Sequence, residues 1–526
     1  MLLLTAFSGR VFAQAVNAGE IRGTVTDTSG AVIPDVSVTI HDTLTGVTTR
    51  VVTNGVGIYD TPPTVPGNYT LTFSKEGFNR LVRSGVDLGI EIITVDAQLS
   101  VGTATQEVDV SAEASLLRTE TAEQGETLQD NSIMELPHLG QTWTYFNQAL
   151  PGVTGTGEGI SVNGEQPYQQ NFLADGGTGT LPRSNNQDMF VIFESVAEVE
   201  VSTANFNAQY GSGSAVFNQI LKSGTNQFHG SAYEYLQNNI LNARSMNQVT
   251  IPISRWNMYG GTIGGPARKN KLFFFLNIES NSQASATFGY TTYPTQAMRQ
   301  GNFSYPGFMN RSDGTPRLIY DPNSLVNGKR TAFPNNIIPA SELDPLALKL
   351  QSYLPLPNTT PGVMDNTYYP LPAQAGVVYN NYYYSRRGLQ HPTTYLWKVD
   401  YALSGSNRLG ASMARQNNTQ AYQPSFSELY PMQGQNHTWY DETGQVTDVW
   451  TISQSIVNEF RGAMVREYSV YVPTSMNKGY MQALGINYGL ADTFPGLTIG
   501  GPIGGVSITP GQHITSAMAT FAPSDT

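Results

Sequence analysis

Short bursts of alternating apolar and polar residues run from about residue 20 to residue 100. Within each burst the apolar side chains lie two positions apart, which predicts a β-strand with one buried face. Turn sequences such as Asp27-Thr-Ser-Gly30 and Pro66-Gly-Asn68 separate the bursts. Short strands joined by close turns predict a small β-sandwich from Glu20 to Ser100. The alternating positions are Ile21, Gly23 and Val25; Val36, Val38 and Ile40; Tyr69, Leu71 and Phe73; and Ile93, Val95 and Ala97.

Longer alternating stretches, rich in aromatic residues, begin near Asn226. A strand that spans the outer membrane needs roughly 9 to 11 residues, with apolar side chains outward and polar ones inward. Trp397, Val399, Tyr401 and Leu403 alternate with Lys398, Asp400 and Ala402, and Ser404-Gly-Ser-Asn407 then predicts a tight hairpin turn. The predicted strands are Phe228 to Leu236, Arg255 to Gly264, Lys271 to Glu279, Thr394 to Leu403, Arg408 to Gln416 and Ile456 to Glu467.

The remaining parts of the chain have less regular patterns. Asn131 to Gly224 predicts a mixed α+β region, with a helix from Trp143 to Leu150 and strands at Ile160 to Val162 and Ala197 to Val201. The stretch from about Ser280 to Thr393 is long, polar and rich in Pro, Tyr and Asn. Because proline is excluded from strand interiors, this stretch predicts irregular loops outside the membrane.

Composition indicates an exported, β-rich chain of more than one domain. The 526 residues include only 13% charged residues, with 52 Gly, 28 Tyr and no Cys. Absence of Cys excludes disulfides, thiolate zinc sites and cysteine nucleophiles, and a net charge of −12 argues against nucleic acid as a partner.

The apolar start, Met1-Leu-Leu-Leu-Thr-Ala-Phe, followed by Val11-Phe-Ala-Gln-Ala15, predicts a signal peptide over residues 1–15.

No residue pattern predicts a catalytic, metal or cofactor site. The six histidines are isolated, and the glycine-rich segments lack the Lys-Ser/Thr of a phosphate loop. Neighbours Asp441 and Glu442 would point to opposite faces of a strand, so we interpret them as part of a solvated loop rather than an acid and base pair. Four tyrosines have two interpretations, stacking on sugar rings or packing in a loop or aromatic girdle: Tyr379, Tyr382, Tyr383 and Tyr384.

Three motifs in the predicted sandwich resemble the carboxypeptidase-regulatory-like domain, which despite its name carries no peptidase site. They are Gly23-Thr-Val-Thr-Asp27, Gly55-Val-Gly-Ile-Tyr59 and Pro66-Gly-Asn-Tyr69. The resemblance implies an Ig-like fold for this domain. It implies either a glycan-binding module or a simple spacer.

Further blocks resemble the plug and first barrel strands of TonB-dependent receptors of the Oar-like type. The stretch from Ala197 to Gly211 and Lys222-Ser-Gly-Thr-Asn226 look like the end of a plug. Gly260-Gly-Thr-Ile-Gly-Gly-Pro266 and Lys271-Leu-Phe-Phe-Phe275 are similar to the first barrel strands. His138-Leu-Gly-Gln141 departs from the Asn-Gly-Arg-like run that is commoner in the family.

A short alternating segment lies between the predicted sandwich and plug. Its pattern alone fits the last strand of the sandwich, a linker, or an exposed strand that pairs with another protein. In TonB-dependent receptors the segment before the plug is the TonB box, so the resemblance makes this segment the candidate for TonB binding, with a linker as the alternative. The candidate residues are Gln106, Glu107, Val108, Asp109, Val110, Ser111 and Ala112.

The resemblance implies a mainly β, non-enzymatic transporter in the lipid of the bacterial outer membrane, with its N-terminal domain in the periplasm. TonB and its inner-membrane energising complex would drive uptake of an oligosaccharide, peptide or iron chelate. Such barrels need about 22 strands, more than the chain after the plug supplies, so we expect a truncated antiparallel barrel. The alternative is a secreted or surface β-sandwich protein that binds carbohydrate or mediates adhesion. The predicted division is signal peptide 1–15, sandwich 20–100, TonB-box-like segment 104–114, plug 115–225 and partial barrel 226–526.

Overall fold

Strands form most of the chain in the computed structural model. Among the described residues, no helix is long and apolar enough to cross a membrane. The predicted signal peptide and the predicted helix from Trp143 to Leu150 lie outside the described residues. The structure describes residues 18–102, 107–111, 124–129, 151–155, 160–167, 169–180, 192–206, 210, 213–243, 251–291, 293–304, 317–358, 381–422, 435–453, 456–486, 497–499, 506–508 and 515–525.

The N-terminal region is a sandwich of a four-stranded and a five-stranded sheet around its own apolar core. The predicted alternation is confirmed, because the apolar residues of the bursts are buried between the two sheets. The five-stranded sheet has the order β3-β2-β5-β6-β9, so β9 is an edge strand and runs parallel to β6. The strands are β1 Glu20–Asp27, β2 Ser37–Asp42, β3 Thr48–Val52, β4 Ile58–Asp60, β5 Gly67–Ser74, β6 Arg80–Leu88, β7 Ile92–Thr94, β8 Ala97–Leu99 and β9 Glu107–Ser111.

A second, mixed sheet with the order β10-β15-β16-β13-β14 follows. Its strand β16 is buried at every position. Burial on both faces is typical of a sheet that is covered from two sides, here by its own core and by the wall described next. The strands are β10 Gln124–Gln129, β11 Val153–Thr154, β12 Ser161–Val162, β13 Gln170–Ala174, β14 Gly177–Thr178, β15 Val196–Ala204 and β16 Ala215–Leu221, with a 3-10 helix at Phe193–Ser195.

Among the described residues that follow, nine strands form an antiparallel wall in which sequence neighbours pair as hairpins. The turn predicted from Ser404 to Asn407 closes such a hairpin. The wall strands are β17 His229–Asn238, β18 Ser254–Arg268, β19 Leu272–Thr291, β20 Tyr382–Gln390, β21 Thr393–Ser404, β22 Asn407–Tyr422, β23 Gln435–Ser453, β24 Ile456–Pro473 and β27 Thr515–Asp525. The separate hairpin β25 Leu497–Ile499 and β26 Val506–Ile508 lies before β27.

Several wall strands are much longer than a membrane requires. The longest, β19, has 20 residues, or about 66 Å, which a tilt near 40° reduces to about 50 Å of height. The apolar band of such barrels is only about 25 Å tall. The predicted boundaries of the loop from Ser280 to Thr393 are wrong at both ends. The strand β19 continues to Thr291, and β20 begins at Tyr382. These parts stand beyond the apolar band, so no apolar alternation is required of them.

The connection between β19 and β20 carries short helices on the outer end of the wall. Tyr382 packs edge-on against Tyr293 at 5.2 Å between ring centroids, in an apolar cluster with Leu354 and Leu484. Tyr382 is thus a packing residue, which is one of its two predicted interpretations, and Tyr379 lies outside the described residues. The helices are α1 Gln296–Arg299, α2 Pro345–Ser352 and α3 Tyr480–Leu484, with 3-10 turns at Asn239–Leu241, Pro334–Asn336 and Ala340–Glu342.

Candidate functional site

The second sheet packs against one face of the wall, and β21 shows how alternation sorts its side chains. Lys398 is buried against the second sheet, whereas its neighbour Trp397 and, further along, Leu403 are exposed on the opposite face. Successive strand residues point to opposite faces. The predicted outward and inward assignment for these positions is therefore confirmed.

One apolar core joins the second sheet to the wall. Phe172 and Phe217 stack at 5.3 Å between ring centroids inside the sheet. Phe275, Leu396 and Ala414, from three wall strands, belong to the same buried cluster. The second sheet, called the plug below, is therefore held against one face of the wall, called its inner face.

A buried ion pair lies at the centre of this interface. The Lys398 Nζ atom of β21 is 3.1 Å from Asp175 Oδ2 and donates a hydrogen bond of 3.0 Å to the Leu221 carbonyl. Asp175 Oδ1 accepts the Leu221 N–H at 2.8 Å. The side chains of Lys398 and Asp175 are only 10% and 3% exposed. An ionised side chain that is buried to this degree is stable only beside an opposite charge, so Lys398 and Asp175 each compensate the charge of the other.

The local sequence places Asp175 where it can make these contacts. Asp175 and Gly176 form the turn between β13 and β14, both with positive φ, at 48° and 76°. Asp-Gly is a favoured sequence for a hairpin turn that needs this conformation at both positions. Burial raises the pKa of Asp175, and the Lys398 ammonium together with the Leu221 N–H opposes that rise.

Further polar contacts fasten the same hairpin and its neighbours to the wall. Arg461 Nη1 donates to the Gly176 carbonyl at 3.2 Å, and Thr443 Oγ1 donates to the Thr178 carbonyl at 3.4 Å. Gly177 lies so close to the wall that a Cβ placed there would be 2.3 Å from Gln445 Oε1. The hairpin tip therefore contacts β23 and β24 as well as β21.

A second anchor lies at the 3-10 helix that precedes β15. Tyr235 donates its hydroxyl to Glu194 Oε1 at 2.6 Å, and Asn277 Nδ2 donates to Ser195 Oγ at 2.7 Å. Both donors come from the wall and both acceptors from the plug. The plug is thus held by side-chain hydrogen bonds at two separate places.

Asn226 links the sandwich to the turn between β18 and β19. Its N–H donates to the Leu44 carbonyl at 2.9 Å, and its Nδ2 donates to the Thr45 carbonyl at 2.6 Å. Its Oδ1 accepts the Asn270 N–H at 2.8 Å. The sandwich therefore lies at the end of the wall that has the short turns.

The predicted TonB-binding residues are not part of the plug and wall interface. Glu107 to Ser111 form β9, which pairs with β6 from Arg80–Glu107 to Ser84–Ser111. Gln106 and Ala112 lie outside the described residues. TonB binding by this segment stays a prediction, whereas the pairing with β6 agrees with the alternative that the segment is the last strand of the sandwich.

Sequence reasoning missed some roles and misplaced one pair of residues. Lys398 was assigned inward, but its partner Asp175 lies 223 positions away, and no local pattern signals that pairing. The solvated loop expected at Asp441 and Glu442 is wrong, because both residues are buried within β23. Glu442 binds arginines on the two neighbouring strands, so long-range pairing explains its burial. Across the described ranges, no group of three or more His, Asp or Glu side chains is placed to hold a metal ion.

Two known families match this chain. One, described as "Outer membrane beta barrel domain", matches residues 220–526. The other, described as "Carboxypeptidase regulatory-like domain", matches residues 20–100.

Named relatives are transporters and receptors. The TonB-dependent transporter Oar of Myxococcus xanthus is 29% identical over 260 residues, covering 43% of this chain and 23% of that protein's length. The matched region thus spans less than a quarter of this relative. The outer membrane transporter YddB from Escherichia coli is 10% identical over 66% of this chain and 39% of its own, with a TM-score of 0.38. The ferric-catecholate import receptor Fiu from Escherichia coli K12 is 11% identical over 74% of this chain and 54% of its own, with a TM-score of 0.34.

Proposed function

Because this chain belongs to the outer membrane β-barrel domain family and carries a carboxypeptidase regulatory-like domain, we propose that it is a TonB-dependent receptor that imports a nutrient ligand. It is a protein of the outer membrane. The ligand is an oligosaccharide, a peptide or an iron chelate. TonB supplies the energy, and the chain itself does no covalent chemistry.

The observation that carries the proposal is the plug held inside the wall by a buried ion pair. The function of an adhesion protein or a carbohydrate-binding sandwich does not require a sheet that packs against the inner face of a membrane wall. The function of a gated pore requires one, because a plug must close the lumen and must also be able to move. The pair of Lys398 and Asp175 and the hydrogen bonds at Glu194 and Ser195 are polar contacts, which water can replace when the plug moves.

Energy input is proposed to reach the plug through Gln106 to Ala112. Barrel strands have short turns on the periplasmic side and long loops outside, and the sandwich contacts the short-turn end of the wall through Asn226. Together these observations support a periplasmic position for β9, the side of the membrane on which TonB operates. A strand at a sheet edge is suited to pairing with a strand of another protein.

The test of TonB pairing is disulfide trapping, which is clean because the chain has no cysteine. Single cysteines at each position of Glu107 to Ser111 would be combined with single cysteines along the periplasmic part of TonB. If the two strands pair, moving the cysteine by one residue along Glu107 to Ser111 should move the site of cross-linking on TonB by one residue. Matched controls are cysteines in Thr48 to Val52, the strand at the opposite edge of the same sheet. Equal trapping at both edges would refute the assignment.

Import itself needs a separate test in cells that make the natural full-length protein. Uptake of labelled oligosaccharide, peptide and iron chelate would be compared with and without a protonophore. We expect one class to accumulate only when the proton gradient is intact. Surface binding of carbohydrate without energy-dependent accumulation would instead favour an adhesion protein.

A further inference from the structure

Arg415, Glu442 and Arg466 form a row on the outer face of the wall. They are register partners on β22, β23 and β24. Ala414 belongs to the plug core and Arg461 binds the plug. Arg415 adjoins Ala414, and Arg466 is an odd number of positions from Arg461, so both arginines point away from the plug.

The row lies above an apolar part of the outer face of β23 and β24. Arg466 is ten positions along β24 from Ile456, about 25 Å above the strand's start for a tilt near 40°. Below the row, Val446 and Phe460 are exposed apolar residues of the same face. This height matches the upper edge of a band about 25 Å tall. The row therefore lies at lipid headgroup level, in the leaflet away from the sandwich.

The two guanidinium groups converge on one carboxylate and one ring. Arg415 Nη1 is 2.7 Å from Glu442 Oε1, and Arg466 Nη1 is 3.5 Å from Glu442 Oε2. Their guanidinium carbons lie 4.9 and 5.3 Å from the ring centroid of Tyr440, which itself stacks on Tyr468 at 4.6 Å. Aromatic residues at this level are typical of the girdle that borders the apolar band.

The row has an uncompensated positive charge that is open to the surroundings. The side chains of Arg415 and Arg466 are 44% and 45% exposed, whereas that of Glu442 is only 8% exposed. Each guanidinium has five N–H donors. Four donors of the pair contact Glu442, Asn417 and Tyr440, which leaves about six of ten for a ligand. Two arginines and one carboxylate give a net charge of about +1 at neutral pH.

We propose that Arg415 and Arg466 bind the phosphate of a lipid headgroup in the bilayer around the barrel. Planar guanidinium groups bind phosphate through paired, charge-assisted hydrogen bonds. Exposed apolar residues just below the row would pack against the acyl chains of the same lipid. Glu442 orients both arginines but competes with the phosphate for them. If the three side chains only formed an ion ladder between strands, loss of the Glu442 carboxylate would weaken the row. In a lipid site, loss of that carboxylate would instead free both arginines for the phosphate.

The experiment is native mass spectrometry of the natural full-length protein in a neutral detergent. The probes are dioleoyl phosphatidic acid, the matched zwitterionic phosphatidylcholine, and inorganic phosphate. We expect phosphatidic acid to be retained in preference to phosphatidylcholine, and inorganic phosphate not to be retained. Arg415→Gln and Arg466→Gln should each reduce retention about tenfold or more, whereas Arg268→Gln, at the end of β18 near its short turn, should not.

Glu442→Gln separates the two explanations. If the row is a lipid site, this change should increase retention, because a competing charge is lost. Unchanged retention in both arginine variants, equal retention of both lipids, or reduced retention in a folded Glu442→Gln variant would overturn the proposal. If Glu442→Gln fails to fold, the two arginine variants and the choice between lipids still decide it.

Discussion

Replacing Lys398 by methionine should loosen the plug without disturbing the wall. Methionine keeps most of the length of the side chain but removes the cation, so the Asp175 carboxylate stays buried without its ion-pair partner. Breaking a buried pair in this way costs about 3 to 5 kcal/mol. Because about 1.4 kcal/mol is a factor of ten, local opening of the plug should become at least about 100-fold more frequent.

The double change Lys398→Met with Asp175→Asn should restore most of that loss. Asparagine retains an oxygen that can accept the Leu221 N–H, which Asp175 binds at 2.8 Å, and no unpaired charge remains. Replacement of both partners of a buried pair is often close to neutral. The pair of variants therefore isolates the cost of the unpaired carboxylate.

Amide hydrogen exchange of the full-length protein in detergent is the suitable assay. Peptides from β13 and β16 report on the plug, and peptides from β22 serve as the internal reference. Burial raises the pKa of Asp175, so in Lys398→Met the carboxyl can relieve its cost by taking up a proton. A raised acid pKa contributes stability at low pH that is lost as pH rises, so the loosening should be smaller at pH 5 than at pH 8. Wild-type exchange in Lys398→Met, or no rescue by the double change, would refute this reasoning.

Three other substitutions test separate parts of the fold. Burial and a nearby carboxylate raise the pKa of Glu20 from 4.5 to about 7. The free energy of unfolding of the sandwich should therefore fall by about 3 kcal/mol as pH rises through that window. Urea unfolding of Glu20→Gln should show no such fall, and an equal fall in this variant would contradict the prediction. Gly224→Ala would place a Cβ 2.4 Å from the Phe274 carbonyl oxygen of β19. This change should lower the fraction of protein that migrates as the folded, heat-modifiable form on a gel, whereas Gly55→Ala, which meets open space, should not. Asn226→Ala removes side-chain hydrogen bonds to the sandwich turn and to the short turn of the wall, each worth about 1 kcal/mol. Limited proteolysis at residues 43–46 should therefore become faster, and an unchanged rate would argue against this link.

Sequence patterns predicted strands well wherever one face is buried. In the sandwich and the apolar band, burial of one face places apolar residues at alternate positions, as at Val36, Val38 and Ile40. The strand β20 and the outer part of β19 lack this signal because they extend beyond the apolar band. No apolar row is required of them on a lipid-facing side, so their sequences resemble those of loops.

Long-range partners could not be predicted for a different reason. The alternation in Glu107 to Ser111 indicates a strand, but it does not say which strand it joins, and the parallel pairing with β6 emerges only from the fold. Lys398 and Asp175 meet because the second sheet packs against the wall. Pairings of this kind depend on topology, which one sequence by itself encodes only diffusely.

The great length of the wall strands has a consequence for how such a protein can diversify. The strand β19 rises about 50 Å, and the lipid requires only about half of that height. The loops at its outer end are therefore attached to the part of the β-sheet that extends beyond the membrane, and not at the membrane surface. Insertions and replacements in those loops then change the outer surface of the protein without changing any residue that meets lipid. Membrane fit and the shape of that outer surface can therefore evolve as nearly independent traits.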